Sequence, residues 1–387
     1  MGVSNMDYLT ILGRQSEIGI AELETLYGPG SIMPIGNKAC FVQQKPDFAR
    51  LGSSIKSAKF ISTTKHAQID DVLDASVPYI VEQRKGREGK LQLGISVYGH
   101  RVSGPQLNRS ALKLKKRLRS KGLSVRLIPN KQSELNAAQI LRNKLTKTNG
   151  IELNIIFDGK TVHVAQTLEV QDIDEYTRRD REKPVRDPLV GMLPPKLAQT
   201  LINLADTKPG MSLLDPFCGT GTVLMEAFAM GIDTCGSDIS PNMVDATRVN
   251  MSWFQANKQK PMFHVELADA TMHEWPFQID AVAGETYLGP ALRSLPDDKQ
   301  LTSIVEEVDD IHRRFLQNLA GQTKSGVRIA LAVPSWHKKG KFIDLPVLDD
   351  LEKLGYNPTS FVHVSDELVY HRPHQVVGRR IISLIRK

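Results

Sequence analysis

The run Leu213-Leu-Asp-Pro-Phe-Cys-Gly-Thr-Gly-Thr-Val-Leu-Met-Glu226 constrains the fold more than any other stretch of the chain. Two leucines lead to an acid, then to a turn with two glycines, then to a helical sequence. A strand, a glycine turn and a helix in that order open a doubly wound α/β sheet. Gly219 and Gly221 permit the tight turn and let a ligand approach the backbone. A dinucleotide fingerprint would need a third glycine at 224, where Leu224 stands, and no P-loop lysine follows. An acid at the strand end, Asp215, would repel a pyrophosphate but suits a ligand that carries an ammonium and a sulfonium. Asp238 comes 23 residues later, about one βαβ step, and is placed to accept from ribose hydroxyls. Asp269 ends the next strand, within reach of an adenine amino group. Three acids at three successive strand ends describe a pocket for S-adenosyl-L-methionine.

The surrounding sequence agrees. From Lys196 onward, helices at 196–205, 222–230, 241–259, 299–319 and 347–354 alternate with strands at 212–214, 233–236, 263–267, 281–283 and 327–333. This predicts a Rossmann-like parallel sheet. Two further strands, 360–370 and 376–384, add an antiparallel edge hairpin. N-terminal to this region, short strands at 8–12, 39–42, 91–98 and 124–128 mix with helices from Ser16, over 110–121 and over 133–145. A hairpin over 151–166 turns at Asp158-Gly159. In the 133–145 helix, Ala137, Ala138, Leu141 and Leu145 are expected on one inward face. Residues 171–195 are densely charged, with four prolines between Pro184 and Pro195, and mark a linker. The expected organisation is a ferredoxin-like unit over 1–55, a second α+β unit over 56–170, the linker over 171–195 and the α/β domain over 196–387.

Charge is distributed unevenly. Of a net +7, residues 1–195 carry 30 Lys/Arg against 20 Asp/Glu, and residues 196–387 carry 20 against 23. Residues 101–150 hold 13 basic residues and one acid, Glu134. This is the footprint of a phosphate-backbone binder; a solvated, solubilising face is the alternative. Arg109, Lys113, Lys116, Arg117 and Lys121 on the 110–121 helix and just before it are the candidate RNA contacts. Cys40, Cys218 and Cys235 lie far apart, which excludes a disulfide scaffold or a cysteine zinc site. No metal is expected. The absence of a long apolar run and of a signal-like start predicts a cytoplasmic chain that does not span a membrane, and a monomer.

Asp215-Pro-Phe-Cys-Gly-Thr-Gly-Thr222 resembles motif I of class I amino-methyltransferases that act on RNA. The stretch from Tyr176-Thr-Arg-Arg to Leu-Pro-Pro-Lys-Leu-Ala198 is similar to the linker and motif X of the THUMP-domain tRNA guanine-N2 methyltransferase family. The N-terminal region, with its basic helix and Ser133-Glu-Leu-Asn-Ala-Ala-Gln-Ile140, resembles a THUMP module behind a small ferredoxin-like unit. The resemblance implies that S-adenosylmethionine lies against Pro194, Lys196, Asp215, Phe217, Cys218, Gly219, Thr220, Gly221, Thr222, Asp238, Ile239, Asp269 and Ala270. It also implies that the THUMP region grips the acceptor end of tRNA.

The fourth strand end departs from that family. Enzymes that methylate exocyclic amines carry Asp/Asn-Pro-Pro-Tyr there, so that an acid and a main-chain carbonyl orient the amine and the ring stacks on the flipped base. Here the chain reads Ile279-Asp-Ala-Val-Ala-Gly-Glu-Thr-Tyr-Leu288. Glu285 stands for the acid, and Thr286 and Tyr287 replace the prolines. The catalytic candidates are therefore Glu285, Thr286 and Tyr287, with Tyr287 as stacking platform or as packing. Ser335-Trp336-His337 could wall the base pocket, and Arg178-Arg179-Asp180 could be a salt-bridged hinge or a tRNA contact. His371 and His374 are expected at a solvent-facing turn. The reading is an S-adenosylmethionine-dependent methyltransferase forming N2-methylguanosine in tRNA. A ribosomal RNA guanine-N2 methyltransferase and a non-catalytic RNA-binding protein with a degenerate fourth motif remain alternatives.

Overall fold

The computed structural model describes residues 6–65, 67–159, 161–186, 193–255, 261–373 and 375–387. They form two compact units. The first comprises residues up to 16, 27–49 and 54–173; the second comprises 17–26, 50–53 and 174–387.

The N-terminal unit is built on an eight-stranded sheet with the order β2-β3-β1-β4-β8-β7-β5-β6. Its strands are β1 (Tyr8–Leu12), β2 (Ile32–Ile35), β3 (Ala39–Val42), β4 (Ser54–Lys65), β5 (Leu91–Tyr98), β6 (Val125–Leu127), β7 (Gly150–Asp158) and β8 (Thr161–Val170). Because β4 pairs with both β1 and β8, the sheet runs unbroken through residue 55. The expected division into 1–55 and 56–170 is therefore not a division of the structure. No period-2 signal marks β4, because buried and open positions do not alternate along it. A fully buried ion pair, Lys56 to Glu152 at 2.6 Å, crosses the middle of this sheet, and Ser96 also donates to Glu152.

Helix α1 (Ser16–Tyr27) leaves the first unit, and Gly28, at φ 81°, stops it. Helices α2 (Ile69–Ala75) and α3 (Val77–Arg84) precede the basic helix α4 (Gly104–Ser120). Helix α4 starts before Ser110 because Ser103 caps it, accepting from the Gln106 amide. Leu107, Ala111, Leu114 and Leu118 face the core and the cations face outward. The helix expected over 133–145 shrinks to α5 (Ala137–Arg142), capped by Asn136. The residues buried here are Leu135, Ile140 and Leu145, while Leu141 is exposed, because so short a helix flanked by irregular turns does not hold the 3.6-residue period.

The second unit holds a nine-stranded sheet with the path β11-β10-β9-β12-β13-β17-β15. These are β9 (Ser212–Asp215), β10 (Asp233–Asp238), β11 (Phe263–Leu267), β12 (Ala281–Glu285), β13 (Arg328–Lys338), β14 (Lys341–Ile343), β15 (Tyr356–Pro358), β16 (Leu368–Tyr370) and β17 (Val377–Arg386). Strands β9 to β13 are parallel; β17 runs antiparallel to β13. This is the predicted Rossmann-like sheet with an antiparallel edge. Helices α6 (Ile173–Arg181), α7 (Pro195–Leu204), α8 (Thr222–Ala229), α9 (Pro241–Gln255) and α10 (Asp298–Gln322) accompany it. Three expectations are corrected. The linker contains α6. The helix over 347–354 is a 3-10 turn, Pro346–Asp350. The strand over 360–370 is only β16, since the Phe361 and Val362 amides donate to side-chain carboxylates instead of to a ladder.

One apolar cluster of this unit includes Ile18 and Ala21 of α1 with Leu197, Leu201 and Leu204 of α7. Glu22 of α1 is buried; it accepts from the Gly52 and Ser53 amides at 2.8 and 2.9 Å and from Asn203 Nδ2 at 2.7 Å. Burial raises the Glu22 pKa, and these hydrogen bonds pull the other way.

Candidate active site

The parallel register sets the C-terminal ends of β9, β10, β11 and β12 side by side, and the candidate acids stand there. Ligands of open α/β sheets bind at such an edge. Asp215 ends β9 and is buried; its Oδ1 accepts from the Phe217 amide at 3.3 Å. Its carboxyl lies against Gly284 of β12, where a Cβ would come within 2.4 Å of Oδ1. Glycine at 284 thus lets Asp215 sit next to Glu285. Burial raises the Asp215 pKa well above the carboxylate range, and the charges of Asp238 and Glu285 push it the same way. Such a site gains from a cation.

The turn after β9 follows the expected geometry. Gly219 has φ 52° and open space where a Cβ would stand; Gly221, at φ 80°, caps α8. A Cβ on Gly221 would meet Thr247 Cγ2 at 2.9 Å. Asp238 ends β10 and binds two backbone amides, Gly219 N to Oδ2 and Ser240 N to Oδ1, each at 2.9 Å. Each oxygen keeps a lone pair for a ribose hydroxyl. Asp269 accepts from the Thr271 amide and hydroxyl, which lower its pKa, and remains partly open. Ala270 is buried, its carbonyl accepting from Asn318. Ile239 is 70% exposed directly after Asp238, and Leu267, in register with Asp238, is 55% exposed. Open apolar residues at the ends of β10 and β11 suit an adenine face. Ile239 was legible in the sequence; Leu267 was not, because only the strand pairing brings it there.

Several expected cofactor contacts are engaged elsewhere. Thr220 and Thr222 hydroxyls accept from Lys183 Nζ at 3.1 and 2.9 Å. Lys183 is buried, which lowers its pKa to about 8. Cys218 packs in an apolar cluster with Leu224 and Phe228, and burial raises its pKa far above the thiol range, so it is no nucleophile. Phe217 meets Phe315 edge to face at 5.0 Å. Pro194 caps α7 through its carbonyl, and the Lys196 ammonium lies 5.1 Å above the Tyr176 ring. Residues 187–192 of the motif X stretch lie outside the described residues.

Behind the turn, Arg179 Nε donates to Glu226 at 2.6 Å. Glu226 is fully buried, and desolvation raises its pKa to about 7 against the pull of Arg179. The salt-bridged reading of the Arg178-Arg179-Asp180 segment therefore applies to Arg179 and also to Arg178, which pairs with Glu175 at 3.8 Å and lies over the Trp253 ring at 5.3 Å.

The fourth strand end carries Glu285, whose Oε1 accepts from Arg379 Nε of β17. Burial raises the Glu285 pKa and Arg379 opposes the rise. No sequence signal pointed to Arg379, which is 94 residues away and arrives only because β17 pairs beside β13. Thr286 is buried. His312 Nδ1 donates to the Val308 carbonyl at 2.7 Å, so Nε2 is the acceptor for the Thr286 hydroxyl at 2.6 Å. Burial lowers the His312 pKa to about 4, which keeps the ring neutral. Thr286 thus anchors the loop to α10 and does not face a substrate. Tyr287, the next residue, is 38% exposed, which excludes core packing. Trp336 is fully buried and belongs to the core, contrary to its expected place in a pocket wall. His371 donates to the Gln375 carbonyl at 2.7 Å, and His374 lies outside the described residues.

A family model described as "RMKL-like, methyltransferase domain" matches residues 185–345, the span that carries every candidate cofactor and catalytic acid named above. This segment is similar to RMKL-like methyltransferase domains. A second model, for a DNA methylase, matches residues 72–249. The chain is 30% identical over 154 residues to a tRNA (guanine(10)-N2)-dimethyltransferase of Methanothermobacter thermautotrophicus, covering 40% of this chain and 42% of that one. It is 28% identical over 186 residues to the enzyme of that name from Pyrococcus abyssi, covering 48% of each. The chain thus spans less than half the length of these curated relatives. Among solved structures, TrmN from Thermus thermophilus superposes with a TM-score of 0.56 at 17% identity, covering 98% of this chain and 99% of that one. A possible methylase from Clostridium difficile gives 0.52 at 15% identity, covering 97% of each. These likenesses show the class I methyltransferase fold. The segment fits S-adenosylmethionine by its donor set: an open glycine turn, a buried acid that gains from a cation, a two-oxygen ribose acceptor and exposed apolar strand ends.

On α4, Lys113 and Arg117 pair with Asp70 and Asp74 of α2, each at 2.5 Å. Arg109, Lys116 and Lys121 are exposed and make no ion pair among the described residues. Among the described residues no cluster of three or more His, Cys, Asp or Glu could hold a metal, and no helix is long and apolar enough to cross a membrane.

Proposed function

We propose that this protein transfers a methyl group from S-adenosylmethionine to the exocyclic N2 of guanine in tRNA. The observation that carries the reading is the placement of Glu285 and the exposed Tyr287 at the strand end adjoining the Asp215–Asp238 cradle. Bound S-adenosylmethionine supplies an electrophilic methyl group to an in-line displacement. The chain's part is positioning. Glu285 accepts a hydrogen bond from the guanine amine, which turns the nitrogen lone pair toward the methyl. As the N–C bond forms and the C–S bond breaks, the amine becomes cationic and loses a proton; Glu285 stabilises that charge and is placed to take it. Tyr287 stacks on the extruded base. The Thr286–His312 bond holds both residues at the strand end, the task that two prolines perform in the related motif. The N-terminal unit, with its cationic α4, supports the binding of RNA as a THUMP-like module.

The test is single-turnover transfer of labelled methyl into bulk tRNA and into ribosomal RNA, followed by nucleoside analysis. N2-methylguanosine in tRNA is the expected product. Glu285→Ala should slow transfer by about 10²–10³-fold, the usual cost of one preorganised partner. Labelling of ribosomal RNA alone would redirect the reading to that substrate. No transfer by the parent into either would leave a non-catalytic RNA binder.

A further inference from the structure

The parallel register of β12 and β13 ends at Glu285 and Ala332, yet β13 continues through Lys338. Six residues therefore overrun the strand end that carries Glu285, a reach of about 20 Å at 3.3 Å per residue. The overrun projects from the substrate edge of the sheet and is stiffened on both sides. It pairs with β17 through Trp336 and with β14 through Lys338↔Lys341. The two-residue loop between β13 and β14 is Lys339-Gly340, with φ of 49° and 82°, as a primed hairpin turn requires. Asparagine or glycine is the easy residue at the first of these positions. Lysine there costs on the order of 1 kcal/mol. Conformational ease does not explain the choice, whereas charge does.

Residues 196–387 carry three more acids than bases, but Lys338, Lys339 and Lys341 stand on this tip, and Arg372 follows His371, whose ring packs against His337. Lys338 is held by Asp298 at 2.5 Å. Lys339, Lys341 and Arg372 are exposed, and no ion pair forms at Lys341 or Arg372 among the described residues. Three rings cluster at the same hairpin. His337 and Phe342, opposite each other on β13 and β14, are 5.1 Å apart, and His371 lies 4.9 Å from His337 and 5.3 Å from Phe342. A Cβ on Gly378 would stand 3.0 Å from Phe342, so glycine at 378 seats that ring on β17. All three rings are half-buried, each keeping part of its surface open. Cations beside open rings, without an acid between 337 and 342, form the surface on which single-stranded nucleic acid binds by phosphate contact and base stacking.

We propose that the β13–β14 hairpin is a second RNA-binding surface, on the methyltransferase unit itself, that takes unpaired nucleotides flanking the target guanosine. The proposal rests on the RNA reading given above. It is tested on the full-length chain by fluorescence anisotropy with bulk tRNA over a range of salt, with calorimetry of S-adenosylmethionine as control. The triple variant Lys339→Ala/Lys341→Ala/Arg372→Ala should bind tRNA at least about tenfold more weakly at low salt. Its log–log salt slope should flatten by roughly 0.7 for each phosphate no longer neutralised, while cofactor affinity is unchanged. Lys339→Gly separates binding from folding: it relieves the turn, so its melting temperature should equal or exceed the parent's while its RNA affinity falls. A triple variant with parental affinity and slope overturns the surface and leaves the RNA reading intact. A parent that binds no RNA overturns both.

Discussion

At the scale of single residues, two carboxylates carry different duties. Asp238 holds the turn by accepting from the Gly219 and Ser240 amides, and in the proposed pocket it is also the ribose acceptor. Asp238→Ala should therefore weaken S-adenosylmethionine binding by about 1.5–3 kcal/mol, the range for removing a hydrogen bond to a charged group, as read by calorimetry. An unchanged affinity would remove Asp238 from the pocket. In the proposed mechanism Glu285 acts as a carboxylate; burial raises its pKa while Arg379 lowers it. Protonation removes the negative charge and the capacity to take the amine proton, so transfer should fall as pH drops through that raised pKa. Arg379→Met removes the lowering influence and should shift the acid limb of the single-turnover profile to higher pH; Arg379→Lys should shift it less. A limb that stays in place in both variants would separate Arg379 from the chemistry. Asp215, Asp238 and Glu285 were legible in the sequence because each closes a strand, and Asp269 because it follows one by two residues. Arg379 was not, because nothing in the sequence around it says which strand β17 will join. Trp336 misleads for a related reason: an aromatic after a strand looks available until the strand turns out to continue past it.

At the scale of elements, α4 shows how far a charge pattern can be read. Its apolar stripe and cationic face are plain from spacing alone, but the acids of α2 that answer Lys113 and Arg117 lie 43 residues upstream. The two groups of cations should behave differently. Replacing Arg109, Lys116 and Lys121 by Ala should flatten the salt slope of tRNA binding by about 2–3. Replacing Lys113 and Arg117 should change it less, since their charge is already shared with Asp70 and Asp74. Equal slopes for both variants would show that the α2 acids let go when RNA arrives. The strand β4 was opaque for a different reason. It lies in the middle of its sheet between β1 and β8, with burial that changes character along its length, so no single period describes it.

At the scale of the molecule, the methyltransferase unit is not a contiguous piece of chain. It recruits 17–26 and 50–53 from the N-terminal region. A fragment of residues 174–387 lacks Ile18 and Ala21 from its core and leaves buried Asn203 without Glu22. Losing the burial of one Ile-sized side chain and one buried amide partner should cost at least about 3 kcal/mol. Urea unfolding of that fragment should begin at lower denaturant than unfolding of the same unit within the full chain, followed by tryptophan fluorescence; coincident midpoints would contradict this. The interleaving also orders events on the ribosome. Helix α1 is synthesised early, yet its partner helix α7 follows about 170 residues later. At roughly 5–20 residues per second, the face bearing Ile18 and Ala21 waits on the order of ten to thirty seconds for the surface that covers it. During that interval the nascent chain displays a sticky stripe, so a chaperone stationed at the exit tunnel becomes a natural attendant of its synthesis.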